Sequence, residues 1–451
     1  MSTTTVGTTP TQPEARSAFR RLRRGQVIGG VLLLALIVVM VLAAFGSPPW
    51  QLIGTGTLLI AVVVVVLLAL GVLVITLSIA AITRTRMRIL PWAQRFFRLL
   101  LVLGTLLVAV AGAVVGSQWH ASPPPILGAD GQPLPGSIVT MEQVTLNGSQ
   151  QWITIRGKNI HNPVLLILAG GPGESDLAGS RMLMTPLEDH FVVVDWDQPG
   201  AGKSYGAVPI ATLTPQRYVA DAHALIQLLR TRFHQDKIYL LGGSWGSILG
   251  IWLVQQYPNL FYAFIGNGQM VNVKEDDIMG YQFALKYAAE RGDTATVDTL
   301  RHNGPPPYVG SDWVWKYGAF QAVLFSYMAA HAGATKINMV DLLQASEYGL
   351  LDKVNYFRGI YDVLTVMLPQ MQGIDFTTQA TTLQVPVYFL EGRWDVNAMT
   401  SFVERYYQVL QAPHKELIWF EKSGHTPIAY EPNKVVDVLV NHVLPQTWPG
   451  R

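Results

Sequence analysis

The chain has 451 residues, a formal net charge of +2 and no cysteine. The missing cysteines exclude disulfides, thiolate nucleophiles and cysteine-ligated metals, and the small charge gives no argument for nucleic-acid binding. Half of the residues are hydrophobic and only 14% are charged. This apolar excess lies mostly before residue 117. We predict neither a cofactor nor a metal site.

Three uncharged apolar segments come first in the chain, at residues 27–45, 52–82 and 99–116. A membrane span needs roughly 20 such residues. The second segment is longer than one span but too short for two, so we expect it to tilt or to leave the bilayer at one end. Buried core helices are a poor alternative for runs without charge, and a cleaved signal peptide has one shorter apolar region. Residues 27–116 are therefore predicted to form three transmembrane helices in a lipid bilayer.

Arginines predict the orientation of these segments. Five arginines lie within residues 16–24 and five within residues 84–98, whereas residues 46–51 and 117–151 contain no lysine or arginine. Positively charged loops stay on the cytoplasmic side. We therefore expect a cytoplasmic tail at residues 1–26, a multi-pass protein of the cell membrane, and an extracytoplasmic part after residue 116.

The remaining sequence predicts an α/β domain behind a linker rich in Pro and Gly at residues 117–137. Short aliphatic runs at residues 164–168, 191–194, 238–241 and 385–390 suit parallel strands covered on both faces. A helical pattern at residues 215–230 separates two of them, and this alternation indicates an α/β fold. We assign residues 138–270 and 371–451 to its core. Residues 271–370 are mostly helical and aromatic, which predicts a cap inserted between the two parts.

The strongest local motif is Gly242-Gly243-Ser244-Trp245-Gly246, which follows a predicted strand and precedes a predicted helix. Gly-x-Ser-x-Gly in this context is a nucleophile elbow, a sharp turn that exposes the serine hydroxyl. Ser244 is thus a candidate nucleophile. The amide of Trp245 would begin the helix, where partial positive charge favours an oxyanion.

A nucleophilic serine needs a base and a group that orients the base. Asp395 and His425 each follow a late predicted strand, in the order acid then histidine. Asp395 would fix the tautomer of His425, and His425 would accept the Ser244 proton. Asp395 could instead cap its loop, and Glu391 is a nearby competitor for the role of the acid. His425 could be an ordinary histidine of a surface loop.

Gly170-Gly171-Pro172-Gly173 follows the strand at residues 164–168. Glycines let the backbone approach a substrate oxygen closely. We assign the Gly171 amide as a second oxyanion donor and place Gly170 against the substrate. A plain Gly-Pro turn is the alternative.

Together these residues resemble the proline iminopeptidase (prolyl aminopeptidase) group of α/β-hydrolases. The resemblance covers about residues 138–446 and includes the loop from Asp197-Gln198 to Ser204. It implies an α/β-hydrolase fold with a helical cap and an acyl-enzyme aminopeptidase acting on a small peptide. The chain departs from the group in having Ala169 where histidine is usual and Pro199 where arginine is usual.

The resemblance also implies that acidic side chains of the cap bind the substrate's amino group. Glu275 is the favoured candidate and Asp277 the second. A run of acids at a helix start more often complements the helix dipole, and this alternative stays open.

Gly202-Lys203-Ser204 looks like the end of a phosphate-binding loop. Such a loop requires a first glycine five residues before Gly202 and a helix that starts at the lysine. The first position is Asp197, and Gly206 and Pro209 follow instead of a helix. We therefore predict no nucleotide ligand.

Three other functions compete with an aminopeptidase. A carboxylesterase or lipase-like hydrolase would use the same serine on a small ester. A non-catalytic membrane receptor or scaffold would use the fold alone. A transporter is disfavoured because the apolar segments carry no charge that would mark an ion path.

Overall fold

A computed structural model describes residues 31–32, 34–83 and 86–450. The chain divides into two compact units, Met1–Ala121 and Ser122–Arg451. The predicted cytoplasmic tail at residues 1–26 lies outside the described residues.

The first unit contains three apolar helices in its described part: α1 (Leu34–Phe45), α2 (Pro48–Thr83) and α3 (Arg86–His120). Two stretches within the described residues, Pro49–Ile82 and Ile89–His120, are long and apolar enough to cross a membrane. Helix α1 is shorter, and the predicted first span at residues 27–45 falls partly on residues that are not described. Helix α3 extends beyond the predicted apolar run at both ends.

The second unit is built on a mixed sheet of eight strands among its described residues. The strands are β1 (Ile138–Leu146), β2 (Ser149–Gly157), β3 (Val164–Leu168), β4 (Val192–Asp197), β5 (Ile238–Gly243), β6 (Phe261–Asn267), β7 (Val387–Gly392) and β8 (Lys415–Phe420). Their spatial order is β1-β2-β4-β3-β5-β6-β7-β8. β2 pairs antiparallel with β1 and β4, and the other pairs are parallel.

The parallel strands are buried on both faces, which explains their unbroken aliphatic sequences. In β3, Leu166 and Leu168 pack into the core on one face of the sheet, and Leu165 and Ile167 pack into the core on the other. The predicted run at residues 164–168 coincides with this strand. The antiparallel strands β1 and β2 were not among the predicted strands.

Helices cover the sheet and form the insertion. They are α4 (Gly179–Leu183), α5 (Pro215–Phe233), α6 (Trp245–Gln256), α7 (Val273–Glu290), α8 (Thr294–Asn303), α9 (Trp313–His331), α10 (Met339–Leu343), α11 (Leu350–Met371), α12 (Phe376–Gln379), α13 (Thr400–Val409), α14 (Pro427–Tyr430), α15 (Pro432–Asp437) and α16 (Leu444–Thr447). Helices α7 to α11 lie between β6 and β7 in the chain and form the predicted cap.

Sheet topology places the candidate site. After β3 the chain crosses to β4 on one side, and after β5 it crosses to β6 on the other. Open α/β sheets bind ligands in the crevice at the carboxyl ends of strands where the connections diverge in this way. The loops that follow β3 and β5 carry Gly170 and Ser244, so the two motifs meet at this crevice.

Candidate active site

Ser244 occupies a strained turn between β5 and α6. Its φ is 51° and its ψ is −117°, in a region that is costly for a residue with a side chain. The turn is tight because both flanking positions are glycine. A Cβ on Gly242 would collide with the carbonyl oxygen of Gly246, and a Cβ on Gly246 would collide with that of Leu168. The predicted nucleophile elbow is therefore present in the backbone.

Asp395 and His425 form a hydrogen-bonded pair. Asp395 follows β7, and its Oδ1 accepts hydrogen bonds from the backbone amides of Asn397 and Ala398 at 2.8 and 3.0 Å. Its Oδ2 accepts from Nδ1 of His425 at 2.7 Å. Because Nδ1 donates to a carboxylate, a neutral His425 has its lone pair on Nε2.

The charge around His425 favours its protonated form. Burial lowers the pKa of His425, but the Asp395 carboxylate and the more distant Glu174 outweigh burial, so that the pKa is raised overall. Nε2 is buried and has no hydrogen-bond partner among the described residues. Nδ1 of His425 is therefore fixed by its hydrogen bond to Asp395, whereas Nε2 is available for a further hydrogen bond.

Ser244 and His425 line the same cavity of about 440 Å³. The Ser244 hydroxyl and Nε2 of His425 are not hydrogen-bonded to each other in the described structure. Catalytic hydrogen bonds in ligand-free enzymes are often long and tighten only with substrate. The cavity thus brings together two of the three predicted catalytic residues, and Asp395 lies directly behind His425.

The glycine loop after β3 reaches the elbow. A Cβ on Gly170 would lie 3.5 Å from the Cβ of Ser244. Gly171 has a φ of +105°, a conformation that glycine adopts without steric cost. Trp245 is the first residue of α6, and the first amides of a helix have no acceptor within it. Gly170 and Trp245 are therefore next to Ser244, and Gly171 follows Gly170 in the same loop.

Gln198 ties the glycine loop to the elbow. Its Oε1 accepts from Nε1 of Trp245 at 2.9 Å, and its Nε2 donates to the carbonyl of Ala169 at 3.3 Å. Both Gln198 and Trp245 are almost completely buried. This side chain therefore fixes the spacing between the two loops, a role that no sequence motif indicated.

The stretch that looked like a phosphate-binding loop holds the cap instead. Gly202–Ser204 forms a single 3-10 turn. The Lys203 ammonium lies 2.7 Å from the Asp352 carboxylate of α11, and both side chains are buried. The backbone amide of Lys203 donates to Asp197 at 2.7 Å. The lysine thus fastens the loop after β4 to the cap.

Glu174 is a cavity carboxylate that no sequence motif indicated. It lines the cavity together with Ser244 and His425. A Cβ on Gly170 would lie 2.7 Å from Glu174 Oε2, and Tyr356 donates to Oε1 at 3.3 Å. Burial raises the pKa of Glu174, although Tyr356 and His425 partly oppose this. Its only signal in the sequence is its place directly after Gly173.

Asp176 also lines the cavity. Its pKa is raised well above the ordinary range by burial and by the neighbouring carboxylates of Asp195, Glu174 and Asp197. The cavity therefore holds a second acid near Glu174.

The two acids predicted from the cap lie elsewhere. Glu275 is exposed in the first turn of α7, where the Asn272 side chain caps its amide. Asp277 is buried, accepts a hydrogen bond from Tyr317, and has a pKa raised to about 6 by burial. Neither side chain lines the cavity. The placement of Glu275 fits the helix-start alternative.

The fold and the comparisons with known proteins define the class of this protein. The family model of the alpha/beta hydrolase fold matches residues 163–303. The crystal structure of proline iminopeptidase from Mycobacterium smegmatis is similar with a TM-score of 0.50 and 16% identity, covering 68% of this chain and 99% of that one. The chain is a hydrolase with the α/β-hydrolase fold.

Similar sequences are aminopeptidases by name. YbaC of Bacillus subtilis (strain 168), called a probable aminopeptidase, is 29% identical over 314 residues, which are 68% of this chain and 96% of YbaC. A probable proline iminopeptidase of Leptolyngbya boryana is 28% identical over 286 residues, covering 59% of this chain and 83% of the relative.

Proposed function

We propose that the protein is a serine hydrolase that works through an acyl-enzyme. The observation that carries this proposal is the 2.7 Å hydrogen bond from His425 to Asp395, in a cavity shared with the strained Ser244. Nε2 of His425 accepts the hydroxyl proton while Oγ of Ser244 attacks the substrate carbonyl. The protonated His425 then gives its proton to the leaving group. Water repeats these steps on the acyl-enzyme.

The oxyanion of each tetrahedral intermediate is stabilised by the amides of Gly171 and Trp245. Both belong to backbone segments that are fixed by tight packing. Donors held in place before the reaction need no reorganisation when charge develops, which makes them effective in a site that excludes water. Gly170 lets the substrate carbonyl approach Ser244 closely.

The named relatives support an aminopeptidase of the proline iminopeptidase type. Such an enzyme must bind the α-ammonium group of its substrate. We assign this task to Glu174 in place of Glu275 and Asp277, because Glu174 is the acid beside Ser244. An ammonium group next to Glu174 favours its ionised form and forms a charge-assisted hydrogen bond.

Comparing Pro-arylamide with its N-acetylated form tests this assignment. Glu174→Gln should lower kcat/KM for the free amine roughly 10-fold to 100-fold, since hydrogen bonds to charged groups contribute about 1.5–3 kcal/mol. The same substitution should change kcat/KM for neutral aryl esters much less. Glu275→Gln is the matched control and should leave kcat/KM unchanged for both substrates. Equal rates for free and acetylated substrate in the wild type would reject amine recognition.

The cavity wall favours one alternative, a carboxylesterase or lipase-like hydrolase. Much of the lining is apolar, with Ile167, Leu168, Leu183, Leu241, Phe325, Ile337, Leu342 and Ile428. Turnover of aryl esters without any preference for a free amino group would support this function. Failure of Ser244 to react with any acylating probe would instead support a non-catalytic receptor or scaffold.

We further propose that the apolar helices anchor the enzyme in the cell membrane as a multi-pass protein. The most apolar windows of α2 and α3 are only 17% and 22% buried, as expected for helices that contact lipid. The arginine distribution supports a cytoplasmic location for residues 1–26 and an outer location for the hydrolase unit. Protease treatment of intact cells should digest the hydrolase unit. Protection of this unit until lysis would overturn the orientation.

A further inference from the structure

The active-site cavity opens on the cap. Most of its lining residues are buried or half-buried, and the two exposed ones are Phe325 in α9 and Thr335 after it. Ile337 and Leu342 line the cavity from the next few residues and are half-buried. The mouth of the cavity therefore lies at the segment that runs from α9 to α10.

Exposed apolar side chains occur on the cap helices α9, α10 and α11, which follow one another in the chain at and after this mouth. We call five of them the cap rim: Phe325, Met339, Val340, Leu351 and Val354, each between 43% and 57% exposed. Met339 and Val340 are adjacent in α10, and Leu351 and Val354 share one face of α11 because they are three positions apart. Single exposed apolar residues are normal, but a group beside a pocket marks an interaction surface.

The second unit begins next to the cap rim. The amide of Ser122, its first residue, donates to the carbonyl of Ser346 at 2.9 Å. Ser346 lies between α10 and α11. Leu342 in the cavity wall is four residues before Ser346 in the chain. Even a fully extended chain would separate the two residues by no more than about 14 Å. Ser122 itself follows the last residue of α3 by two positions.

We propose that the cap rim docks on the lipid bilayer and that the cavity receives amphiphilic esters or amides from it. The proposal rests on the membrane anchoring proposed above. A chain that leaves the bilayer at the end of α3 reaches the cap after two residues, so the cap rim is held near lipid. Transfer of apolar side chains from water into the membrane interface is favourable. The exposed Lys336, which lies close to them in the sequence, can pair with anionic lipid headgroups.

The absence of cysteine in the sequence makes a direct test simple. A single Val340→Cys variant of the full chain carries an environment-sensitive fluorophore and is reconstituted into vesicles of phosphatidylcholine and phosphatidylglycerol. Ile160→Cys is the matched control. Ile160 is 41% exposed and lies before β3, at the end of the parallel strands opposite to the cavity. Unchanged thermal melting of both variants establishes that they fold.

The label at position 340 should be quenched by nitroxide lipids and should lose access to aqueous iodide. The label at position 160 should show the opposite pattern. Equal iodide access at both positions would overturn the proposal. Shielding of position 340 that rises with protein density without lipid quenching would overturn it too, and would indicate contact between two copies of the chain.

A second measurement separates docking from catalysis. Val340→Glu should lose turnover of a long-chain ester dissolved in vesicles and retain turnover of a water-soluble short-chain ester. Equal turnover of both esters relative to wild type would contradict docking. If the proposed hydrolase activity itself is wrong, the wild type turns over neither ester, while the two fluorescent labels still report whether the rim meets lipid.

Discussion

Replacing Asp395 with asparagine tests the pairing of Asp395 with His425 without removing the side chain. In the wild type, Oδ1 accepts two loop amides at 2.8 and 3.0 Å and Oδ2 accepts from His425 at 2.7 Å. An asparagine oxygen can keep both loop amides. Its NH₂ group then faces Nδ1 of His425, which must become an acceptor. The proton moves to Nε2, and His425 can no longer act as a base toward Ser244.

The cost follows from the alternative orientation. Turning the asparagine oxygen toward His425 restores the tautomer but leaves two loop amides, one buried and one partly buried, without acceptors, at about 1–3 kcal/mol each. The productive form is thus disfavoured by about 2–6 kcal/mol, which lowers kcat roughly 30-fold to 10⁴-fold.

The assay is steady-state turnover of a soluble aryl ester by the full chain, with thermal melting to establish folding. Asp312→Asn, an exposed acid that pairs with Lys316, is the matched control and should leave kcat unchanged. A folded Asp395→Asn enzyme with wild-type kcat would refute the role of this pair.

Three further predictions concern pH and packing. The raised pKa of His425 should place the acid limb of kcat/KM above pH 6.5, and Asp395→Asn should move that limb down; an unmoved limb would assign it to another group. Asp277, with a pKa of about 6 instead of 3.8, favours folding while protonated, so stability should fall by up to about 3 kcal/mol as pH rises from 4 through 6. Asp277→Asn should flatten this decline in melting temperature between pH 4 and 6, and an equal decline would contradict it. Gly246→Ala should unfold the enzyme or abolish probe labelling, whereas Gly206→Ala, which has open space around it, should melt as the wild type does.

The sequence predicted those features that depend on local pattern. β3 was found because both of its faces are buried, which leaves an unbroken aliphatic run. The turn around Ser244 was predicted because Gly-x-Ser-x-Gly is a local motif between a strand and a helix, although Gly246 also has to be small because it packs against Leu168. The pairing of β1 with β2 was missed because both strands mix polar with apolar residues.

Side-chain placement across the fold was harder to predict. Glu174 faces the cavity because of the packing of Gly170 and a hydrogen bond from Tyr356, which is 182 residues away in the chain. Glu275 and Asp277 belong to the same acidic run, yet one is exposed and the other buried, since neighbouring positions on a helix point in different directions. No local pattern states which of these acids reaches Ser244.

The central claim is that Ser244 is the nucleophile. Full-length protein is treated with a fluorophosphonate probe, and the labelled peptide is identified by mass spectrometry. Ser247, three residues further on and buried behind the elbow, serves as the positional control. We predict a single adduct on Ser244 that is lost in Ser244→Ala and retained in Ser247→Ala. A folded protein that takes up no probe, or that carries the adduct on another residue, would contradict the account.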